Sequence, residues 1–115
     1  MFEIIERVWL GSYIDAVNEC FLEERQITHI LCCAEELHLR AGFPYSSRLQ
    51  GKKVTNVKDA ADLLNTWVSE GRHVIVHCSE DFKRSSSVII EYLTVYKKWS
   101  HILAYEHLNL RRNIL

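Results

Sequence analysis

Apolar positions along the chain switch between a strand rhythm and a helix rhythm. Ile4 to Leu10 is a short apolar segment broken by Glu6-Arg7, the pattern of a strand or strand pair ending at Gly11. Ser12 followed by Asp15 resembles a capping box, and Ile14, Val17, Phe21 and Leu22 recur at helical spacing, which predicts an amphipathic helix over 13–25. Ile27 to Cys33 is a continuous apolar and β-branched run, as expected of a strand buried on both faces. Ala34 to Gln50 is the least regular part, with a turn at Gly42-Phe43-Pro44 and a weak strand expected within Tyr45 to Lys53. From Asp59 onward, Ala60, Leu63, Leu64, Trp67 and Val68 line one helix face, with Gly71 as the stop. Val74 to His77 reads as a second buried strand. Beyond Arg84, Ile89, Tyr92, Leu93 and Tyr96 carry a helix to about Lys98. Ser100 can cap a last helix with Leu103, Ala104, Tyr105 and Leu108 on its inner side and Arg111-Arg112 near its end. Strands alternating with helices predict a single α/β domain over 1–115, a three-layer-type sandwich with a mainly parallel central sheet flanked by helices.

Composition narrows the classes. At 115 residues, 48% hydrophobic and 25% charged, the chain matches a soluble globular domain without repeats or low-complexity segments. A formal charge of −1 gives no pull toward nucleic acid, so no nucleic-acid partner is expected. No apolar run approaches the ~20 residues that span a bilayer. Met1-Phe2-Glu3-Ile4-Ile5-Glu6 carries acids where a signal peptide carries bases, so the expected location is intracellular, cytoplasmic or nuclear. Cys20, Cys32, Cys33 and Cys78 have no framework-like spacing and read as reduced thiols. Cys32-Cys33 and His77-Cys78 are adjacent pairs, which chelate poorly, so neither metal nor other cofactor is expected.

One stretch carries chemistry. The strand Val74 to His77 runs into Cys78, and Arg84, Ser85, Ser86 and Ser87 follow a five-residue interval, opening the next helix. A loop of that size can turn its N–H groups inward as an anion cradle at a helix N-terminus. A thiolate there is stabilised, and a guanidinium at the rim holds two phosphate oxygens at once. On this reading Cys78 is the nucleophile, Arg84 the clamp, and Ser79, Glu80, Asp81, Phe82, Lys83 and Arg84 supply the substrate-binding loop. Ser85 hydrogen-bonds the sulfur as it leaves, and His77 orders the loop. The bland alternative for a lone cysteine is an ordinary buried thiol at a strand end. Here the arginine spacing, the serine and both flanking elements agree against it. The loop also lies where open α/β sheets bind ligands, at the carboxyl end of a strand.

His77-Cys78-x5-Arg84-Ser85 resembles the signature of the cysteine-dependent protein tyrosine phosphatase superfamily. The rest of the chain is similar to its dual-specificity branch: Val8-Trp9-Leu10-Gly11-Ser12, then Gln26-Ile27-Thr28-His29-Ile30-Leu31, Ser85 to Leu93, and Ala104-Tyr105 with Arg112. The resemblance implies hydrolysis of phosphotyrosine, and of phosphoserine or phosphothreonine, through a thiophosphate intermediate, on a phosphorylated protein or small phosphoester. Two departures stand out. Glu80 and Asp81 occupy positions where the family has a small residue and glycine, and at ~6 Å each carboxylate repels a bound anion by roughly 0.7 kcal/mol in water. Asp tolerates positive φ, and both side chains can point to solvent. The family's general acid is an Asp about thirty residues before the cysteine, yet Ser46-Ser47-Arg48-Leu49-Gln50 holds no carboxylate. Candidate acids are Asp59, whose position at a helix start also suits the helix dipole, and Glu80 or Asp81 within the loop. The myotubularin phosphoinositide phosphatases place an acid at the position matching Glu80.

Three functions follow from these features. A phosphatase is favoured by Cys78, Arg84 and Ser85 together; a pseudophosphatase that binds phosphorylated partners is favoured by the missing acid and acidic loop. A phosphatase for phosphoinositides or RNA 5′ ends is a weaker third, discouraged by the near-neutral charge. Arg111-Arg112 and Lys97-Lys98 read as helix-end cations, the three tryptophans as core or subunit contacts, and His29, His73, His101 and His107 form no catalytic spacing.

Overall fold

Two central strands without a polar face set the architecture. His29–Cys32 (β3) and Val74–His77 (β5) are buried at every position, as the continuous apolar runs require. Around them lie Phe2–Ile5 (β1), Val8–Gly11 (β2) and Gln50–Lys53 (β4), in the sheet order β1-β2-β5-β3-β4. The structure, a computed structural model, describes residues 1–37, 48–79 and 82–112. Strands β2, β5, β3 and β4 are mutually parallel and β1 is an antiparallel edge. The mainly parallel sheet is therefore as expected. The weak strand is β4; residues 45–47 of its anticipated span, and the turn at Gly42-Phe43-Pro44, lie outside the described residues.

Helices cover both faces. Val57–Ser69 (α3), Lys83–Val95 (α4) and His101–Arg112 (α5) bury Ala61, Leu64, Ile89, Leu93 and Leu108 against Val8, Leu10, Val74 and Val76. On the other face, Tyr13–Ala16 (α1) and Glu19–Glu24 (α2) bury Ala16 and Leu22 against Ile30 and Ile75. The result is the three-layer sandwich. Helix α3 begins at Asn56, whose side chain accepts from Asp59 N (3.0 Å), and ends at Gly71, whose φ of 82° suits glycine.

Four expectations change. The helix over 13–25 is two short helices, because Val17 closes the first and Asn18 caps the second by accepting from Phe21 N (3.1 Å). Ile14, assigned to its apolar face, is 75% exposed. In α5 only Ala104 and Leu108 are buried, whereas Leu103 and Tyr105 are 51% and 54% exposed. The helix rests on α4 and β1 along one narrow stripe, and residues one position either side of Ala104 turn about 100° away from it. Arg111 is more than a helix-end cation: its Nε donates to Glu3 O (2.7 Å), and His107 Nε2 donates to Ile4 O (2.6 Å), tying α5 to the edge strand. The tryptophans pack on the core, Trp67 and Trp99 on one face of the sheet and Trp9 on the other.

Candidate active site

The carboxyl end of β5 is held by a strand on either side. His77 pairs with Gly11 of β2 on one side and Cys32 of β3 on the other, and Cys33 N donates to His77 O (2.8 Å). A Cβ on Gly11 would lie 2.5 Å from Ile75 Cδ1 and 3.3 Å from Asp15 Cβ, so a larger residue there would force the Ile75 side chain to shift. Cys78 follows directly and is 2% exposed. His77 is equally buried; desolvation holds its imidazole below the usual histidine range, and the hydrogen bond to Cys78 O works the other way. Its Nδ1 lies 3.0 Å from Cys78 O, an acceptor only, so Nδ1 carries the proton and donates. The ring thus fixes the peptide that presents the thiol.

Helix α4 opens at Phe82. Phe82, at its N-cap, has φ 62°, a left-handed conformation that bulky residues adopt only when packing enforces it. Here its ring meets the Phe2 ring edge-on at 6.3 Å, and the Arg112 guanidinium lies over it at 5.2 Å. Ser86 N donates to Phe82 O (2.9 Å), and α4 extends for 13 residues with its N-terminus toward the loop. Ser85, fully buried, has its Oγ 3.3 Å from Cys78 Sγ and the same distance from Phe82 O. One hydroxyl proton therefore has two acceptors to choose between.

Arg84 sits at the mouth, its side chain 40% exposed. Its Nη1 and Nη2 donate to the two carboxylate oxygens of Glu36 at 2.6 and 2.7 Å, and Nη2 also donates to Ser79 Oγ (2.9 Å). The Arg84 hydrogen bonds hold the Glu36 carboxyl down at about 2. This fork has the geometry in which a guanidinium grips a phosphate. Glu36 lies 48 positions from Arg84, and no local spacing in the sequence points to it. Behind the loop, burial pushes the Cys33 thiol up to about 12, helped by neighbouring Cys32 and Cys78 and opposed by Arg84. Cys32, raised by burial, rests with Sγ 3.8 Å from Ala34 O.

Of the residues expected in the site, the fold brings Cys78, Ser79, Phe82, Arg84, Ser85 and His77 together, with exposed Lys83 opening α4. Glu80 and Asp81 lie outside the described residues. Asp59 is exposed in the first turn of α3, where its N–H is capped by Asn56. The connection from β4 to α3, Val54-Thr55-Asn56, holds no carboxylate. Among the described residues no group of three His, Cys, Asp or Glu side chains could hold a metal ion. Nor is any described helix long and apolar enough to cross a membrane.

A three-layer α/β sandwich with a cysteine at the carboxyl end of its central strand and an arginine at the start of the next helix defines the cysteine-dependent phosphatase class. The family model for the dual specificity phosphatase catalytic domain matches residues 8–115, and the chain belongs to that family. Protein phosphatase Slingshot of Drosophila melanogaster is 31% identical over 98% of this chain, which spans 12% of that protein. Dual specificity protein phosphatase 5 of Rattus norvegicus is 26% identical over 98% of the chain, which spans 31% of it. The chain thus spans well under two thirds of these relatives. Among solved structures, human DUSP28 aligns with a TM-score of 0.84 at 16% identity, covering 99% of this chain and 85% of that one. The human tyrosine phosphatase-like serine/threonine/tyrosine-interacting protein aligns at 0.79 with 19% identity, covering 97% and 83%.

Proposed function

We propose that this domain hydrolyses phosphate monoesters through Cys78, with aryl esters such as phosphotyrosine preferred. The observation that carries the reading is the alignment in one loop of Cys78 Sγ, Ser85 Oγ 3.3 Å away, and the Arg84 guanidinium at the rim. Arg84 exchanges Glu36 for two non-bridging phosphate oxygens, and the loop N–H groups take the remaining charge. The Cys78 sulfur attacks phosphorus, the bond to the ester oxygen breaks, and that oxygen leaves as an alkoxide or takes up a proton. Water then attacks the phosphoryl group, the S–P bond breaks, and the sulfur leaves as a thiolate that accepts the Ser85 hydroxyl proton in a hydrogen bond.

The aryl preference follows from the acid. Val54-Thr55-Asn56 is neutral, which leaves Asp59, Glu80 and Asp81 as candidate proton donors. A phenolic oxygen departs with little help, whereas a serine or threonine oxygen needs a proton in the transition state. A second reading, a binding module for phosphorylated partners without turnover, is favoured by that neutral connection and by the Glu36 fork already closing Arg84. Turnover of a phosphotyrosine peptide, compared with its phosphoserine counterpart and with Cys78→Ser, decides between them. The enzyme reading expects rapid phosphotyrosine hydrolysis that Cys78→Ser abolishes. Equal, negligible release by both proteins, with retained peptide binding, would establish the second.

A further inference from the structure

We propose that a cleft at the opposite end of the sheet, between the β1–β2 turn and the C-terminal ends of α3 and α4, is a second oxyanion site built on Arg7 for a phosphoryl group. Arg7 O accepts from Val74 N (2.9 Å) at the start of β5, whereas Cys78 follows its end, so the length of that strand separates the two sites. The cleft, about 400 Å³, is lined by Arg7, Lys97, Asn65, Ser69, Tyr92 and Tyr96. That set offers two cations, three hydroxyls and an amide.

Arg7 is the residue that asks for a ligand. It stands in the two-residue turn between Ile5 and Val8, whose hairpin geometry calls for its φ of 70°, and its side chain lines the cleft. Its Nε is buried and meets no acceptor among the described residues. A desolvated guanidinium N–H without an acceptor is costly, and a turn of the side chain that brings it to an anion in the cleft removes that cost. Tyr92 is 1% exposed, and burial pushes its phenol up while the nearby Arg7 charge pulls it down. It stays protonated and can donate beside the guanidinium. The competing account is that Arg7 and Lys97 merely complement the carbonyl ends of α3 and α4. Dipole complementation alone leaves the buried Arg7 Nε without an acceptor. Glu70 also lines the cleft and opposes an anion there, and its half-exposed pair with Arg72 Nε at 3.6 Å offsets part of that charge.

Donors of this number suit a tetrahedral dianion: the guanidinium fork takes two oxygens, and Lys97 with the hydroxyls takes the others. The cleft has room beyond a phosphate for part of the molecule that bears it, so the source is either free phosphate or a phosphorylated side chain. The test uses the full chain carrying Arg84→Met, which removes the phosphate fork of the loop and makes the result independent of the function proposed above. Inorganic phosphate is titrated against potassium chloride of equal ionic strength, followed by the amide and ring resonances of Tyr92 and Tyr96. The inference expects saturable shifts centred on the cleft, an at least tenfold loss of affinity in Arg7→Gln, and a several-fold loss in Lys97→Gln and Tyr92→Phe. A short phosphotyrosine peptide in place of phosphate separates the sources: tighter binding than phosphate assigns the phosphorylated side chain, equal or weaker binding the free ion. Absence of a saturable response, or a response unaltered in Arg7→Gln, would overturn the site. Should Arg7→Gln not fold, unchanged affinity in both Lys97→Gln and Tyr92→Phe would do so.

Discussion

Replacing Ser85 with alanine separates the two halves of the proposed reaction. The Ser85 hydroxyl has one proton and two acceptors at 3.3 Å, Cys78 Sγ and Phe82 O. While the sulfur is bonded to phosphorus it is a poor acceptor, and the proton turns to the carbonyl. When the S–P bond breaks, the emerging thiolate becomes the stronger acceptor. A hydrogen bond to a charged group contributes about 1.5–3 kcal/mol. At about 1.4 kcal/mol per factor of ten, Ser85→Ala should slow breakdown of the phosphoenzyme roughly 10- to 150-fold. Formation of the phosphoenzyme, with the same Cys78 and Arg84, should change far less. The fold should barely notice, because Phe82 O also accepts from Ser86 N at 2.9 Å and is not orphaned; the cost is about 1 kcal/mol or less. Rapid-quench measurement with an aryl phosphate should therefore show a burst of one phenol per Cys78, then a slow steady state. A variant with no burst and a steady-state rate within twofold of wild type would refute the reasoning.

Glu36→Gln removes the anion that holds Arg84, and competitive inhibition by inorganic phosphate should tighten several-fold; an unchanged inhibition constant would contradict a competing fork. The same carboxyl, lowered from 4.5 to about 2, stabilises the folded state above about pH 4.5 and loses that contribution as the pH falls toward 2. The difference in Tm between wild type and Glu36→Gln should shrink over that interval, modestly because the pair is solvent-exposed. His29 and His77, both lowered from 6.5 chiefly by burial, are protonated more readily in the unfolded chain. Stability should be full above about pH 6.5 and fall below it, and His77→Gln should flatten a plot of Tm against pH between 7 and 5. Gly11→Ala would set a methyl 2.5 Å from Ile75 Cδ1 and 3.3 Å from Asp15 Cβ, and urea unfolding should report a loss of about 1–3 kcal/mol.

What could be read in the sequence was what short segments decide alone. A run of buried strand residues, a five-residue interval and a helical pattern sufficed to bring Cys78, Arg84 and Ser85 together, because the chain itself holds them in one turn. Helix boundaries were harder where a cap hides inside a periodic pattern: Asn18 starts a new helix without disturbing the 3.6-residue rhythm across it. On the inner face of α5 hydrophobicity overstates burial, because among the described residues the helix rests chiefly on α4 and β1. Glu36 could not be found at all. Its partnership with Arg84 depends on β3 and β5 lying side by side, which places the residues after Cys32 beside those after His77.

The central claim is that Cys78 becomes covalently bonded to phosphorus. Mixing the domain with an aryl phosphate, quenching in acid within milliseconds and mapping the phosphoryl group by mass spectrometry tests it directly. The account predicts phosphate on the peptide containing Cys78, more of it in Ser85→Ala and none in Cys78→Ser. Phenol release without phosphate on that peptide in either wild type or Ser85→Ala would contradict it.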